Sequence, residues 1–166
     1  EMKKVLPNYK GINVVDTVYG DDLAEKSYRE TQGLIQKYPN LKAIIAPTSV
    51  GIVAAAQAVS DGGLAGKINV TGLGLPSEMA GHVKSGASKS FAIWNPIDLG
   101  YAATMISYNL VKGTAKAEAG GEIAMGRMGK VKLDDNKEGA MADPFVYDAT
   151  NVVDRPAATA ISSRLP

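Results

Sequence analysis

The chain has no cysteine in 166 residues. That excludes disulfides, thiolate catalysis, zinc–thiolate sites and iron–sulfur clusters together, and it leaves the redox compartment open. Histidine is nearly absent: His82 stands alone, so no multi-histidine metal centre can be built and no metal site is expected. Two Phe and one Trp sit among 18 Gly, which suits tight helix-on-sheet packing better than an aromatic β-sandwich core. Neither sign of charge dominates. Lys plus Arg is 18 and Asp plus Glu 17, a net charge of +1, so there is no electrostatic footprint for nucleic acid or an anionic membrane surface. No apolar run is long enough to span a bilayer, and the opening Glu1-Met2-Lys3-Lys4 is not followed by the apolar stretch of a signal peptide.

What is present is a globular composition, 45% hydrophobic and 21% charged, that argues against disorder. The first half alternates strand and helix patterns. Residues 12–19 are rich in β-branched side chains and read as a strand. Gly20-Asp21-Asp22 supplies turn and cap chemistry for a helix over about 23–38, which Pro39-Asn40 ends. Ala43-Ile44-Ile45-Ala46 is a short unbroken apolar run, the pattern of a central parallel strand covered on both faces. Thr48 or Ser49 can cap the next helix, over 50–60, which is apolar nearly all round. A strand over 67–73, a short helix from Pro76, a strand over 89–94 and a helix over 96–112 follow, the last with Asn95 as cap and Pro96 at its first position. This alternation predicts an α/β fold with a parallel, doubly wound sheet. The last third differs: a polar loop over 114–121, then extended segments at 129–133 and 144–147 around the loop 134–139, then a tail without periodicity.

Several motifs are weaker than they look. Gly72-Leu73-Gly74-Leu75-Pro76-Ser77 lies where a dinucleotide fingerprint would, but Ser77 replaces the third glycine and Pro76 stiffens the loop. A strand-to-helix turn is the better account, and a dehydrogenase ranks low. Asp134, Asn136, Glu138 and Gly139 imitate the start of a calcium loop, but Phe145 stands where the bidentate Glu belongs; a solvated hairpin loop is expected instead. Asn69-Val70-Thr71 is a glycosylation sequon on a strand expected to be buried. His82 reads as a surface residue. Carboxylate pairs Asp21-Asp22 and Asp134-Asp135 are adjacent in cap and loop positions, so no acid–base pair faces a cleft. No catalytic constellation and no cofactor site are found.

Ligands of open parallel sheets lie beyond the carboxyl ends of strands. Here those ends carry Tyr19-Gly20-Asp21, Pro47-Thr48-Ser49, Gly74-Leu75 and Trp94-Asn95. Hydroxyls, an amide and one indole face suit a sugar. The same residues also suit plainer roles, with Trp94 in the core and Thr48-Ser49 as caps.

Leu41-Lys42-Ala43-Ile44-Ile45-Ala46-Pro47-Thr48-Ser49, Ala54-Ala55-Ala56-Gln57-Ala58, Val70-Thr71-Gly72-Leu73 and Phe91-Ala92-Ile93-Trp94-Asn95-Pro96 form an ordered series. It resembles the second lobe of sugar-binding proteins of bacterial ABC importers, in the branch that includes rhamnose-binding and autoinducer-2-binding proteins. Gly126-Arg127-Met128-Gly129-Lys130-Val131 and Asp143-Pro144-Phe145-Val146-Tyr147-Asp148 are similar to the rhamnose-binding type. The resemblance implies a periplasmic-binding-protein-like fold, incomplete relative to the family. It implies a second lobe over 1–95 that lacks its first elements, a helix and loop over 96–128 that pack on an absent first lobe, crossing segments over 129–154, and a tail over 155–166. It implies a periplasmic solute-binding component, not an enzyme, that takes a small sugar in an interlobe cleft and delivers it to a membrane permease. The ligand residues carried over are Pro47, Thr48, Ser49, Gly74, Trp94 and Asn95. Relatives often have Asp where Gly74 stands and Gln where Trp94 stands, which fits a less polar, rhamnose-like deoxy sugar. The effector domain of a lactose-repressor-type regulator shares the fold and is the alternative. The apolar stripe of the helix over 96–112 is expected to lack its native sheet, so the isolated chain should pair with a first-lobe fragment or with itself.

Overall fold

The computed structural model describes residues 5–152, with the elements where apolar periodicity and cap chemistry put most of them. Helix α1 spans Ala24–Lys37, strand β1 Ala43–Ala46, α2 Ser49–Asp61, β2 Asn69–Gly72, α3 Pro76–Lys84, β3 Ser90–Ile93 and α4 Pro96–Val111. Three strands follow: β4 Glu122–Ala124, β5 Lys130–Lys132 and β6 Phe145–Asp148. The boundaries have local causes. The Thr48 hydroxyl accepts the Gly51 N–H at 2.9 Å and starts α2. The Asn95 side-chain oxygen accepts the Ile97 N–H at 2.9 Å and starts α4, with Pro96 at its first position. Each bond satisfies a helix-end donor that otherwise has no partner.

β1 and β2 run parallel, from Ala43 opposite Asn69 to Ala46 opposite Gly72. β3 continues the layer: Leu73 and Ala92 form a parallel bridge, and the Gly74 N–H donates to the Ala92 carbonyl at 3.2 Å. β6 lies antiparallel on β3, with Phe91 opposite Tyr147. Their rings stack with centroids 5.4 Å apart. The lateral order is therefore β1-β2-β3-β6. Gly72 is needed at the end of β2, because its φ of +139° and the closeness of the Ala46 backbone leave no place for a side chain. The main core joins Ile52, Ala55, Ala56 and Val59 of α2 and Met79 and Ala80 of α3 to Val70 and Phe91 of the strands. Alanines on α2 let its backbone come close to the sheet, and α1 buries Ser27 and Thr31. A second core lies elsewhere: Ala102 of α4 packs with Ile123, Met125, Val131 and Leu133 of the antiparallel β4–β5 pair.

Three expectations are revised. Residues 12–19 form no strand, because no neighbouring strand among the described residues offers them a ladder. β1 is not a central strand covered on both faces. Among the described residues it pairs with β2 alone and so stands at an edge, with Ile45 52% exposed. The extended segments at 129–133 and 144–147 do not pair with each other across a hairpin. β5 pairs with β4 and β6 with β3. Within 134–139, the Asp134 carboxylate accepts the N–H groups of Asn136 and Glu138, each at 2.9 Å. On α4, Ile97, Tyr108 and Val111 are exposed, while Ala102 packs on the β4–β5 pair. The expected tail over 155–166 lies outside the described residues.

Candidate functional site at the strand ends

Because β1, β2 and β3 run the same way, their carboxyl ends come out at one edge of the layer. The Leu73 N–H donates to the Ala46 carbonyl at 3.1 Å, so the turn Pro47-Thr48-Ser49 stands beside the exit of β2. The Gly74 bond to Ala92 puts that exit beside β3 just before Trp94 and Asn95. The six residues singled out in the sequence therefore share one edge. Gly20 joins them, packed tightly on Ser27. Ser27 is itself near Gly51 in the first turn of α2, and Tyr19 beside Gly20 is 73% exposed.

The residues differ in what they offer. Trp94 is 40% exposed, which rules out a fully buried core role and leaves an apolar face open. Thr48 and Asn95 are both helix caps. Their side-chain oxygens each accept one backbone N–H, and each keeps further hydrogen-bonding capacity, a hydroxyl hydrogen in Thr48 and an amide NH₂ in Asn95. Ser49 is half-buried at the first position of α2, and Pro47 is exposed. Gly74 is buried, and a β-carbon there would lie 2.8 Å from Met79 Cγ and 3.2 Å from both Ile52 Cγ2 and Phe91 Cδ2. That direction is the core. With its N–H already given to Ala92, Gly74 can offer a ligand only its carbonyl. The glycines of the partial fingerprint thus serve close approach at Gly72 and core packing at Gly74.

Charge is sparse at this edge. None of the six residues is ionisable, so binding there would rest on hydrogen bonds and apolar contact. Shifted groups lie elsewhere. The Asp16 carboxyl is held down at about 2 by hydrogen bonds from Lys37 and Tyr38. Burial lowers the His82 pKa against the opposing pull of Asp61. His82 is half-buried rather than a surface residue. Its carbonyl accepts the Ser88 N–H at the start of β3, the end opposite Trp94. Among the described residues no three acidic or histidine side chains are grouped to hold a metal. The site is one wall, not a closed cavity. An open groove of about 550 Å³ between α1 and α2, lined by Tyr28, Val50 and Val53, shares Ser49 with it.

Sequence reasoning missed a cluster just past this edge. Arg127 pairs with Asp98 at 2.6 Å, its guanidinium lies 4.4 Å from the Tyr101 ring centre, and its backbone N–H donates to the Tyr101 hydroxyl oxygen at 3.3 Å. It clamps the turn after β4 to the first turns of α4. Asp98 and Arg127 are 29 positions apart, and no local pattern announces such a pair.

A parallel layer packed by helices, with polar caps and an open indole at its carboxyl edge, defines an α/β domain of the kind whose ligands lie beyond the strand ends. Residues 1–115 match the family described as periplasmic binding protein domain, and the chain belongs to that family. Its members of this kind are substrate-binding proteins of ABC transporters, not enzymes. The chain is similar to a sugar ABC transporter structure from Actinomyces odontolyticus at 42% identity, over 91% of this chain and 49% of that one, with a TM-score of 0.72. It is also similar to an ABC transporter solute-binding protein from Clostridium phytofermentans with bound L-rhamnose, at 35% identity over 96% and 53%, with a TM-score of 0.81. LsrB from Clostridium saccharobutylicum in complex with AI-2 shares the fold at 18% identity, over 90% and 51%, with a TM-score of 0.72. The chain therefore spans about half the length of the structures it matches.

Proposed function

We propose that this chain forms one wall of the sugar cleft of an ABC-importer solute-binding protein, with Pro47, Thr48, Ser49, Trp94 and Asn95 facing the ligand and Gly74 contributing at most its carbonyl. The half-exposed indole of Trp94 at the edge where three parallel strands end carries this reading. An indole face takes the apolar face of a sugar, and the spare hydrogen-bonding groups of Thr48 and Asn95 take its hydroxyls. A rhamnose-like deoxy sugar is the ligand class, because none of the five side chains proposed to face it is a carboxylate and Trp94 offers an aromatic surface to meet a methyl group. The bound L-rhamnose of the Clostridium phytofermentans relative supports the same class.

In this reading the second core, α4 with β4 and β5, belongs to the opposite lobe. The chain crosses between lobes at Trp94-Asn95-Pro96 and again between Leu133 and Phe145. Sugar bound against both lobes favours the closed state, which a membrane permease then receives outside the cytoplasmic membrane, in the periplasm. Isothermal titration calorimetry with L-rhamnose, D-ribose and D-glucose tests the ligand class. The expected result is preference for L-rhamnose, with Trp94→Ala weakening it about tenfold or more. Equal affinity in the Trp94→Ala protein would refute the site.

A further inference from the structure

Arg127 makes three separate contacts with one place, the amino end of α4. Its guanidinium pairs with Asp98 and lies over the Tyr101 ring, and its main-chain N–H donates to the Tyr101 hydroxyl. The turn that carries Arg127 is shaped to come this close. It is closed by its own bonds, from the Met125 N–H to the Gly129 carbonyl at 2.7 Å and from the Gly129 N–H to the Gly126 carbonyl at 3.1 Å. Gly126 has a φ of +60°, and a β-carbon there would run into the Tyr101 hydroxyl. Stability is a poor reason for this arrangement. The Arg127 side chain is 46% exposed and that of Asp98 23%, and ion pairs so open to solvent contribute little to folding. The rest of α4 is held in other ways: Ala102 packs in the second core, and the Asn109 amide donates to the Ala124 carbonyl at 2.9 Å. What the clamp adds is a fixed place for the first turn.

That turn carries Asn95. Both oxygens of Asn95 are committed to it: the side-chain oxygen accepts the Ile97 N–H at 2.9 Å, and the carbonyl accepts the Leu99 N–H at 3.0 Å. Pro96 stiffens the joint between Asn95 and the helix. Asn95 and the first turn therefore move as one piece, and the turn sets the direction of the amide NH₂ that Asn95 keeps free. Asp98 belongs to the same turn, so Arg127 grips the piece that carries Asn95. On the other side only Trp94 stands between Asn95 and the end of β3 at Ile93.

We infer that Arg127 is a positioning residue for ligand binding. By holding Asp98 and Tyr101 it fixes the first turn of α4, and through that turn it aims the Asn95 amide at a sugar hydroxyl. Arg127 acts through the turn and not by touching the ligand. The inference rests on the reading of Asn95 as a ligand-facing group. Arginine suits the task because its planar guanidinium can pair with a carboxylate at its edge while its face lies on a ring. A lysine would supply the charge without the stack. Hydrogen bonds weaken steeply as their angle opens, so a loosened first turn lowers affinity even when every ligand-facing side chain is still present.

The test uses the whole 166-residue chain, its Arg127→Met, Asn95→Ala and doubly substituted forms, and L-rhamnose. Hydrogen exchange reads the first turn without sugar. In Arg127→Met the Ile97 and Leu99 amides should exchange about threefold faster or more, with the urea midpoint within about 0.5 M of the parent. Calorimetry then reads affinity. Arg127→Met should weaken L-rhamnose binding at least about threefold in the parent chain, but less than about 1.5-fold in the Asn95→Ala chain, because residues that act through one another are not additive. Unchanged exchange at Ile97 and Leu99, a larger fall in the midpoint, or equal weakening in both chains overturns the inference. If Asn95→Ala lowers affinity and Arg127→Met does not, the inference fails and the site reading stands. If the parent chain does not bind L-rhamnose, or Asn95→Ala leaves its affinity unchanged, the site reading fails and the inference with it.

Discussion

Replacing Gly74 probes the strand-end site from its buried side. An alanine there places its β-carbon 2.8 Å from Met79 Cγ and 3.2 Å from Ile52 Cγ2 and Phe91 Cδ2. Met79 can shift its flexible side chain, but Ile52 and Phe91 are held in the main core. Overpacking of this kind costs ~1–3 kcal/mol. With a urea slope of ~2 kcal/mol per molar, the unfolding midpoint of Gly74→Ala falls by about 0.5–1.5 M. Gly74→Asp adds a carboxylate with no partner in an apolar cluster, a penalty of several kcal/mol more. Its midpoint should fall by more than about 2 M, or the protein should not fold at all. Urea denaturation followed by circular dichroism makes the measurement. If Gly74→Asp unfolds with the parent chain and instead alters sugar affinity, the side-chain direction at position 74 is toward the cleft, and the core assignment is wrong.

Other expectations are simpler to check. Thr48→Ala removes the cap of α2 and should cost ~0.5–2 kcal/mol in urea unfolding, while Thr48→Ser should restore most of it. Phe91→Ala empties a fully buried position that also stacks on Tyr147, and should cost ~3–5 kcal/mol by the same measurement. The Asp16 carboxyl is depressed from 3.8 to about 2, so its contribution to stability is complete above about 3.8 and lost as pH falls toward 2. Carbon-13 NMR of the carboxyl should place its midpoint near 2, and Lys37→Met should raise it toward the ordinary value.

The elements that the sequence made legible are those with local causes. α2 is apolar nearly all round and opens on a hydroxyl cap, α4 opens on Asn95-Pro96, and β1 is found at the four residues of its apolar run. What escaped is non-local. β4 is three residues long, Glu122-Ile123-Ala124 among glycines, and its pairing with β5 is non-local. The edge position of β1 depends on what lies beside it, which its own four residues do not encode. The same division holds at the site. Parallel strands must share a carboxyl edge, so Pro47, Thr48, Ser49, Trp94 and Asn95 could be grouped from topology alone. The direction of the missing side chain at Gly74 could not, because Met79, Ile52 and Phe91 come from three different elements.

Trp94 is the only tryptophan in the chain, so its emission reports on the proposed site without labelling. Titration of the chain with L-rhamnose, followed by intrinsic fluorescence, tests the sugar-wall assignment most directly. The account predicts a saturable change in Trp94 emission that Asn95→Ala weakens. Saturable L-rhamnose binding by calorimetry with Trp94 emission unchanged would contradict it.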